Sequence, residues 1–207
     1  MILAVESAST DLSVAVGNAD GSLLALDGWS VGPRQAHELL PRMQDLLQRV
    51  GGSLDMVTGI GVGLGPGSFT GLRVGMSLAK GLAFALGRPV AGVPSLAAWL
   101  ESEPEASAAA SRAGAREAYL LIRGEDEPRV VDREQLAATR GRLVAPAELG
   151  EAFGLADPIQ PLRAAAAVSA AAARLLSADP AGADLDRLEP VYIRAPRGIG
   201  PAAAGIR

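Results

Sequence analysis

Three apolar runs, separated by turn residues, open the chain. Residues 1–6 and 12–16 are almost wholly apolar, and Ser9, Thr10 and Asp11 lie between them. A polar stretch that ends at Gly21 separates the second run from a third at residues 22–27. Short apolar runs joined by such residues are typical of adjacent antiparallel strands. We therefore predict a three-stranded meander.

The hydrophobic period changes after Pro33 to steps of three and four residues, which indicate an amphipathic helix. Gly51 and Gly52 end the pattern. Pro41 lies inside it and predicts either a kink or a helix whose firm part begins near the proline. The apolar positions of this helix are Leu39, Leu40, Met43, Leu46, Leu47 and Val50.

Strand and helix signals then alternate as far as residue 100. Residues 57–64 predict a glycine-rich strand, 70–86 a long helix, 89–93 a short buried strand, and 95–100 a helix capped by Ser95. A meander followed by helical crossovers predicts an α/β fold. Its mixed five-stranded sheet would carry helices on both faces, which is the ribonuclease H-like arrangement.

The signals are weaker beyond residue 100, where we predict a smaller second subdomain. Residues 101–116 predict a helix end and a mobile connection, because they are rich in Ala, Ser and Glu. Further along, the predicted elements are paired strands at 117–123 and 129–132, short helices at 134–138 and 147–153, an alanine-rich helix at 162–176, an extended segment at 191–194 and a frayed tail at 198–207. The predicted division is 1–100, 101–189 and 190–207.

Composition narrows the chemistry that the chain can perform. Hydrophobic residues make up 49% of the 207 residues and charged residues 20%, which is typical of a globular protein. The absence of cysteine excludes disulfides, thiolate nucleophiles and sulfur-ligated zinc, and His37 is the only histidine. A net charge of −4 gives no counterion-release gain on nucleic acid, so we expect RNA to be contacted through a partner.

Neither a membrane span nor a signal peptide is predicted. No basic segment precedes the apolar residues 2–5, and Lys80, Arg88, Pro89 and Pro94 interrupt the long apolar stretch at residues 74–100. We expect a cytoplasmic protein that does not enter a membrane.

The densest motif is the glycine block GIGVGLGPGSFTGLRVG at residues 59–75. It lacks the lysine of a Walker loop and the third glycine of the dinucleotide fingerprint. Its amides at the start of the following helix could hold an anion, or its glycines could simply make a tight strand-to-helix connection. Together with the end of the first strand, the candidate nucleotide or anion loop consists of Glu6, Ser7, Ser9, Thr10, Gly65, Gly67, Ser68 and Thr70.

A stripe of small residues follows on the predicted helix at 70–86. Gly71, Gly75, Ala79 and Ala83 recur every four residues, so another backbone can approach that side closely. The stripe either packs on the first helix of the same chain or forms, with that helix, a docking surface for another subunit. The predicted partner interface consists of His37, Leu39, Leu40, Met43, Leu47, Leu72, Gly75, Met76, Ala79 and Ala83.

Four segments resemble the bacterial TsaB (YeaZ) family. They are ILAVESASTDLSVAV at 2–16, HELLPRMQDLL at 37–47, GPGSFTGLRVGMSLAKGLAFALGRPVAGVPSLAAW at 65–99, and PVYIR at 190–194. The resemblance implies an actin-like ATPase fold with two subdomains. It also implies a role in making threonylcarbamoyladenosine next to the anticodon of ANN-decoding tRNAs.

The resemblance further implies a non-catalytic subunit that pairs with a catalytic TsaD-like homologue and is joined by a TsaE-like ATPase. The helices that match residues 35–50 and 70–86 would form that contact, and a homodimer would use the same surface without the partner. ATP or ADP would lie at the interface of the complex. The catalytic relative holds a metal through two histidines where this chain has Ser95 and Trp99, so we expect no metal and no catalytic residue.

Two departures from the family pattern bear on nucleotide binding. The family usually has Asp where this chain has Glu6, and the second half of this chain is short. An alternative function is a nucleotide-binding actin-like ATPase or a glycoprotease-like hydrolase that acts alone. A regulatory homodimer with another role is a further alternative.

Overall fold

A five-stranded mixed sheet forms the first layer of the computed structural model, which describes residues 1–30, 36–191 and 193. Strands β1 (Ile2–Glu6), β2 (Asp11–Gly17) and β3 (Leu23–Ser30) form an antiparallel meander. Strands β4 (Gly59–Gly63) and β5 (Val90–Val93) add in parallel, so the order is β3-β2-β1-β4-β5. This arrangement confirms the predicted mixed sheet.

Helices α1 (Ala36–Arg49) and α2 (Phe69–Leu86) cover one face of this sheet. Alternate residues of β1 divide between the two faces, as the strand period requires. Leu3 and Val5 pack with the two helices in the largest apolar cluster. Helix α1 begins five residues before Pro41 and continues through it. The regular helix therefore includes the turn before the proline, rather than beginning near the proline.

Helix α6 (Ala164–Ala178) covers the opposite face and contacts all five strands. Its alanines lie very close to the sheet, because a side chain on Gly61 would come within 2.9 Å of Ala172. Although α6 falls inside residues 101–189, its packing belongs to the first sheet. The chain therefore leaves the first layer after β5 and returns to it at residue 164.

A second sheet has the order β8-β7-β6-β9. Its strands are β6 (Ala106–Arg112), β7 (Glu117–Ile122), β8 (Arg129–Asp132) and β9 (Arg142–Val144). Helix α3 (Ser95–Ser102) packs on one face through Leu96, Trp99 and Leu100. Helices α4 (Arg133–Ala137) and α5 (Ala147–Phe153) cover the other face. Helix α3 thus lies between the two sheets.

Several predictions for the second half are confirmed and one is wrong. Strands β7 and β8 pair as predicted, and α4, α5 and α6 lie where helices were predicted. Residues 101–116 are not a mobile connection, because they contain β6, whose residues Ala108, Ala109 and Ala110 are fully buried. Alanine and serine have low strand propensity, so burial between two helical layers, rather than propensity, makes this segment a strand.

Ser95 does not cap α3 as predicted. Pro94 is the N-cap residue, and the hydroxyl of Ser95 instead accepts a hydrogen bond from the amide of Gly65 at 2.9 Å. The predicted segment at 191–194 is only partly described: the amide of Val191 donates to the carbonyl of Leu64. Tyr192, residues 194–197 and the predicted tail at 198–207 lie outside the described residues. No helix among the described residues is long and apolar enough to cross a membrane.

Candidate functional site

Two loops meet at the carboxyl ends of the parallel strands β1 and β4, where open α/β sheets commonly bind ligands. The first loop, residues 7–10, joins β1 to β2, and the second, residues 64–68, joins β4 to α2. The amide of Ser68 donates to the carbonyl of Ala8 at 2.6 Å. The hydroxyl of Ser7 donates to the carbonyl of Gly71 at 3.0 Å. The structure therefore brings the predicted loop residues together.

Glycines make this loop contact possible. A side chain on Gly67 would begin 2.1 Å from the carbonyl oxygen of Ala8, and one on Gly71 would begin 2.1 Å from that of Ser7. Gly65 adopts a φ of +91°, which disfavours any residue with a side chain. The glycine block thus packs one loop of the chain onto another, which is the tight connection that the sequence left as one alternative.

The polar groups of the two loops are already used within the chain. The amide of Gly71 donates to the hydroxyl of Ser68, and the hydroxyl of Ser9 donates to the carbonyl of Asp11 and accepts from its amide. Glu6, Ser7 and Ser9 are buried, whereas Thr70 is exposed and Thr10 is half-buried. A phosphate bound at these loops would have to displace these bonds next to the carboxyl of Glu6. Nucleotide binding at the loops stays a prediction.

Glu6 is the most perturbed titratable group in the site. Its side chain is fully buried, and this desolvation raises its pKa to about 7. Hydrogen-bonding groups on Ala8, Ser95, Ser7 and Trp99 counteract part of the increase by stabilising the charged form. Only the carboxyl oxygen Oε1 has a defined bond, from the amide of Ala8 at 2.7 Å. The carboxyl therefore exchanges its proton near neutral pH.

A second carboxylate connects the two sheets. Asp11 is buried at the start of β2, where it accepts from the hydroxyl of Ser30 and from the amide of Ala147 at the first turn of α5. Burial raises the pKa of the nearby Glu148, and the charge of Asp11 raises it further, whereas Arg112 lowers it. Asp11 was predicted to be a turn residue. Its hydrogen bond with Ala147 could not be predicted from local sequence, because Ala147 lies far along the chain.

The predicted partner interface is largely internal. Leu39, Leu40 and His37 illustrate the result, since Leu39 is fully buried while Leu40 and His37 are exposed. The other predicted residues, Met43, Leu47, Leu72, Gly75, Met76, Ala79 and Ala83, are all buried. An uncovered seam is therefore excluded at the eight buried positions, whereas Leu40 and His37 are exposed. The stripe of small residues faces the sheet instead, and Gly75 lies against the side chain of Ser7.

The opposite side of α2 is the uncovered one. We define the outer face of α2 by its exposed residues, which are Phe69, Thr70, Arg73, Ser77, Gly81, Phe84 and Ala85. Phe84 is 84% exposed. The guanidinium of Arg73 lies 3.8 Å from the centre of the Phe69 ring, and Val74 and Leu78 line a shallow groove beside them.

The sequence carried a signal for this face that the analysis missed. Ser77, Gly81 and Ala85 form a second stripe of small residues at four-residue spacing, offset from the buried one. A side chain on Gly81 would meet nothing within 4 Å. The charges of α2 have a single sign, because the helix contains Arg73 on the outer face and the half-buried Lys80 but no acidic residue. Neither cation has an ion-pair partner among residues 1–30, 36–191 and 193.

Comparisons with known proteins give matches described as TsaD and as TsaB or YeaZ. The family model described as TsaD, tRNA N6-adenosine threonylcarbamoyltransferase, matches residues 32–156. The tRNA threonylcarbamoyladenosine biosynthesis protein TsaB of Escherichia coli is 41% identical over 96 residues, which are 46% of this chain and 40% of that protein. A tRNA N6-adenosine threonylcarbamoyltransferase of Geotalea uraniireducens is 51% identical over 51 residues, which are 25% of this chain and 15% of that protein. The match thus spans less than half the length of these curated relatives.

The structural likeness extends further than the sequence likeness. The solved structure of YeaZ from Pseudomonas aeruginosa has a TM-score of 0.66 and 27% identity, and the match covers 93% of this chain and 99% of that one. With the strand order described above, this likeness confirms the predicted actin-like ATPase, ribonuclease H-like fold.

The contrast between the two faces of α2 predicts opposite effects of the same substitution. Gly71→Ala should lower the free energy of unfolding by about 1–3 kcal/mol, because its methyl group meets the backbone of Ser7. Gly81→Ala should raise it by up to about 1 kcal/mol, because an exposed helical glycine is replaced without contact. Urea unfolding of both variants checks the signs, and equal effects would contradict the packing described for Gly71.

Glu6→Gln should change how stability depends on pH. The pKa of the Glu6 carboxyl is about 7 in the fold, above its ordinary value of 4.5, so the native state binds the proton more tightly than the unfolded state does. The native protein therefore loses stability as pH rises between these two values, and the glutamine variant does not. The variant should gain about 3 kcal/mol over the native protein above neutral pH and nothing in acid. Unfolding curves across this pH range measure the difference, and a constant difference would contradict the raised pKa.

Proposed function

Because the chain belongs to the TsaB (YeaZ) family, we propose that it is a non-catalytic subunit in the biosynthesis of threonylcarbamoyladenosine on tRNA. Its task is to bind a catalytic TsaD-like homologue, which transfers the threonylcarbamoyl group to the adenosine next to the anticodon of ANN-decoding tRNAs. The observation that carries the proposal is the exposed outer face of α2, which combines aromatic side chains, small residues and Arg73, with Lys80 nearby.

The chemistry of this face indicates how the partner would contact it. Ser77, Gly81 and Ala85 allow the backbone of a partner helix to approach closely. Phe69 and Phe84 lie at the two ends of the face, about 22 Å apart along the helix axis, and can enter pockets as aromatic anchors. Arg73 and Lys80 favour a partner that presents carboxylates beside its apolar surface. A second copy of the chain would meet like charges here and is the weaker occupant, which fits a homodimer formed only when the partner is absent.

The contacts of Ser95 and Trp99 are internal to the chain. Ser95 and Trp99 lie where the catalytic relative has its metal-binding histidines. The Ser95 hydroxyl is bonded to the amide of Gly65, and Trp99 is fully buried between α3 and the second sheet. Both side chains act in packing rather than in an open site. Because a phosphate at the loops would have to displace internal hydrogen bonds, we assign ATP or ADP to the assembled complex, in the cytoplasm, with a TsaE-like ATPase. The tRNA would be held mainly through the partner, in keeping with the net charge of −4.

Phe84→Asp should weaken binding to the TsaD-like homologue of the same organism by about 30-fold or more, because a fully desolvated aromatic anchor contributes about 2 kcal/mol or more. Leu175→Asp is the matched control, because Leu175 is 48% exposed on α6, on the opposite face of the sheet. Isothermal titration calorimetry measures both affinities. Unchanged binding by the Phe84 variant, or an equal loss in the control, would rule out the outer face of α2.

Reconstitution tests the division of labour. The chain alone should not hydrolyse ATP above the level of its Glu6→Ala variant. The homologue, the TsaE-like ATPase and tRNA should form threonylcarbamoyladenosine efficiently only when the chain is added, as measured by nucleoside mass spectrometry. Phe84→Asp should lower this product in proportion to its lost binding. Magnesium-dependent turnover by the chain alone would instead favour the ATPase or hydrolase alternative.

A further inference from the structure

The buried carboxyl of Glu6 lies at the seam between the first sheet and α3, and the function proposed above makes no use of it. Ile2, Ala4 and Glu6 share the face of β1 that is turned away from α1 and α2. The carboxyl rests on Gly63 of β4 so closely that a side chain there would begin 2.0 Å from its Oε2. The same position would lie 2.8 Å from the hydroxyl of Ser95 on α3. The carboxyl thus touches both layers.

Two polar atoms in this seam lack a hydrogen-bond partner among the described residues. One is Glu6 Oε2, an acceptor, and the other is the indole Nε1 of Trp99, a donor. The indole acts on the carboxyl nonetheless, because it lowers the pKa of Glu6. Unsatisfied buried groups are rare, and a facing donor and acceptor can satisfy each other after a small movement. The pair is open in this structure, and a small movement of the indole would close it.

The groups around the carboxyl decide which protonation state favours which arrangement. The neighbours that act on it are donors, namely the amides of Ser7 and Ala8, the hydroxyl of Ser95 and the indole of Trp99. An ionised carboxyl accepts from all of them, and the Trp99 bond becomes charge-assisted. A protonated carboxyl has one acceptor site fewer and can donate to the Ser95 oxygen. Ionisation therefore favours closing of the Trp99 pair.

We propose that Glu6 and Trp99 form a proton-controlled latch between the five-stranded sheet and α3. The protonated carboxyl leaves the indole unpartnered, and loss of the proton draws the indole N–H of Trp99 onto Oε2. Because Leu96, Trp99 and Leu100 also pack on the second sheet, the latch sets how tightly the two layers are joined.

Charged side chains on the surrounding elements do not control this group. Asp11 on β2, Arg112 on β6, Glu148 on α5 and Arg163 before α6 contribute nothing to the pKa of Glu6, whose causes are burial and the four donors. Asp11 is held by Ser30 and Ala147, and Arg163 lies 4.0 Å from Glu103. The residues that face the carboxyl from β4 and α3 are Gly63, Ser95 and Trp99, which are uncharged. A pH response of the seam would therefore report Glu6 itself.

The two tryptophans allow a direct test by nuclear magnetic resonance of the full chain. The chain contains only Trp29 and Trp99, so its spectrum has two indole N–H signals, and Trp29→Phe assigns them. The Trp99 signal should move downfield in a single step centred near pH 7 as Glu6 ionises, and its hydrogen exchange relative to the intrinsic rate should slow. The Trp29 signal, beside the permanently charged Arg42, should stay constant over the same range.

Glu6→Gln separates the latch from other effects of pH. With a side chain that cannot ionise, the Trp99 signal should be constant across the range in which the native signal moves. A native Trp99 signal that does not titrate, or one that titrates equally in the glutamine variant, would overturn the proposal.

Should the glutamine variant not fold, the carbon-13 signal of the Glu6 carboxyl in the native chain provides the second measurement. That signal must titrate with the same midpoint as the indole, and different midpoints would also overturn the latch. Binding of a partner to α2 does not enter either readout, so this test is independent of the proposed function.

Discussion

The contact between the loop after β1 and the loop after β4 is the constraint on which the rest of the structure depends. It is made backbone to backbone, with Ser68 bonded to Ala8, and it requires Gly67 and Gly71 at the points of closest approach. This contact fixes where α2 begins and which side of α2 faces the sheet. Burial of the Glu6 carboxyl follows from the same packing, because Gly63 leaves the space that it fills.

The dependence of α2 on these loops explains why its inner and outer faces differ in role. Small residues recur on both sides of the helix, but only one side meets a backbone of the same chain. There Gly71 and Gly75 contact Ser7, so this stripe is buried inside the chain. On the other side Gly81 contacts nothing, and the small residues remain available to another molecule. The same residue types therefore stabilise the monomer on one side of α2. On the other side they are exposed, where the proposed partner would bind.

Much of the fold could be predicted from the sequence. The features that were not predicted have identifiable physical reasons. The meander, the crossovers and helices α4, α5 and α6 follow from local periodicity and turn residues, which the sequence states directly. Strand β6 does not, because Ala108, Ala109 and Ala110 carry no strand preference and become a strand only through burial.

Glu6 and Ser7 were correctly associated with the glycine block. Their chemistry was not predictable, since hydrogen bonds within the loops and the approach of Trp99 depend on residues distant in sequence. Burial of the inner face of α2 was not predictable, because periodicity finds an apolar side without showing what covers it.

The return of α6 to the first sheet has a consequence for how the protein reaches its native state. All five strands are in place in the chain by residue 93, yet the face opposite α1 and α2 is covered only by residues 164–178. During synthesis the second face of the five-stranded sheet stays uncovered until a segment more than seventy residues later has been made. Contacts of such long sequence separation form slowly. The nascent first half would therefore display an apolar sheet face until residues 164–178 have been synthesised.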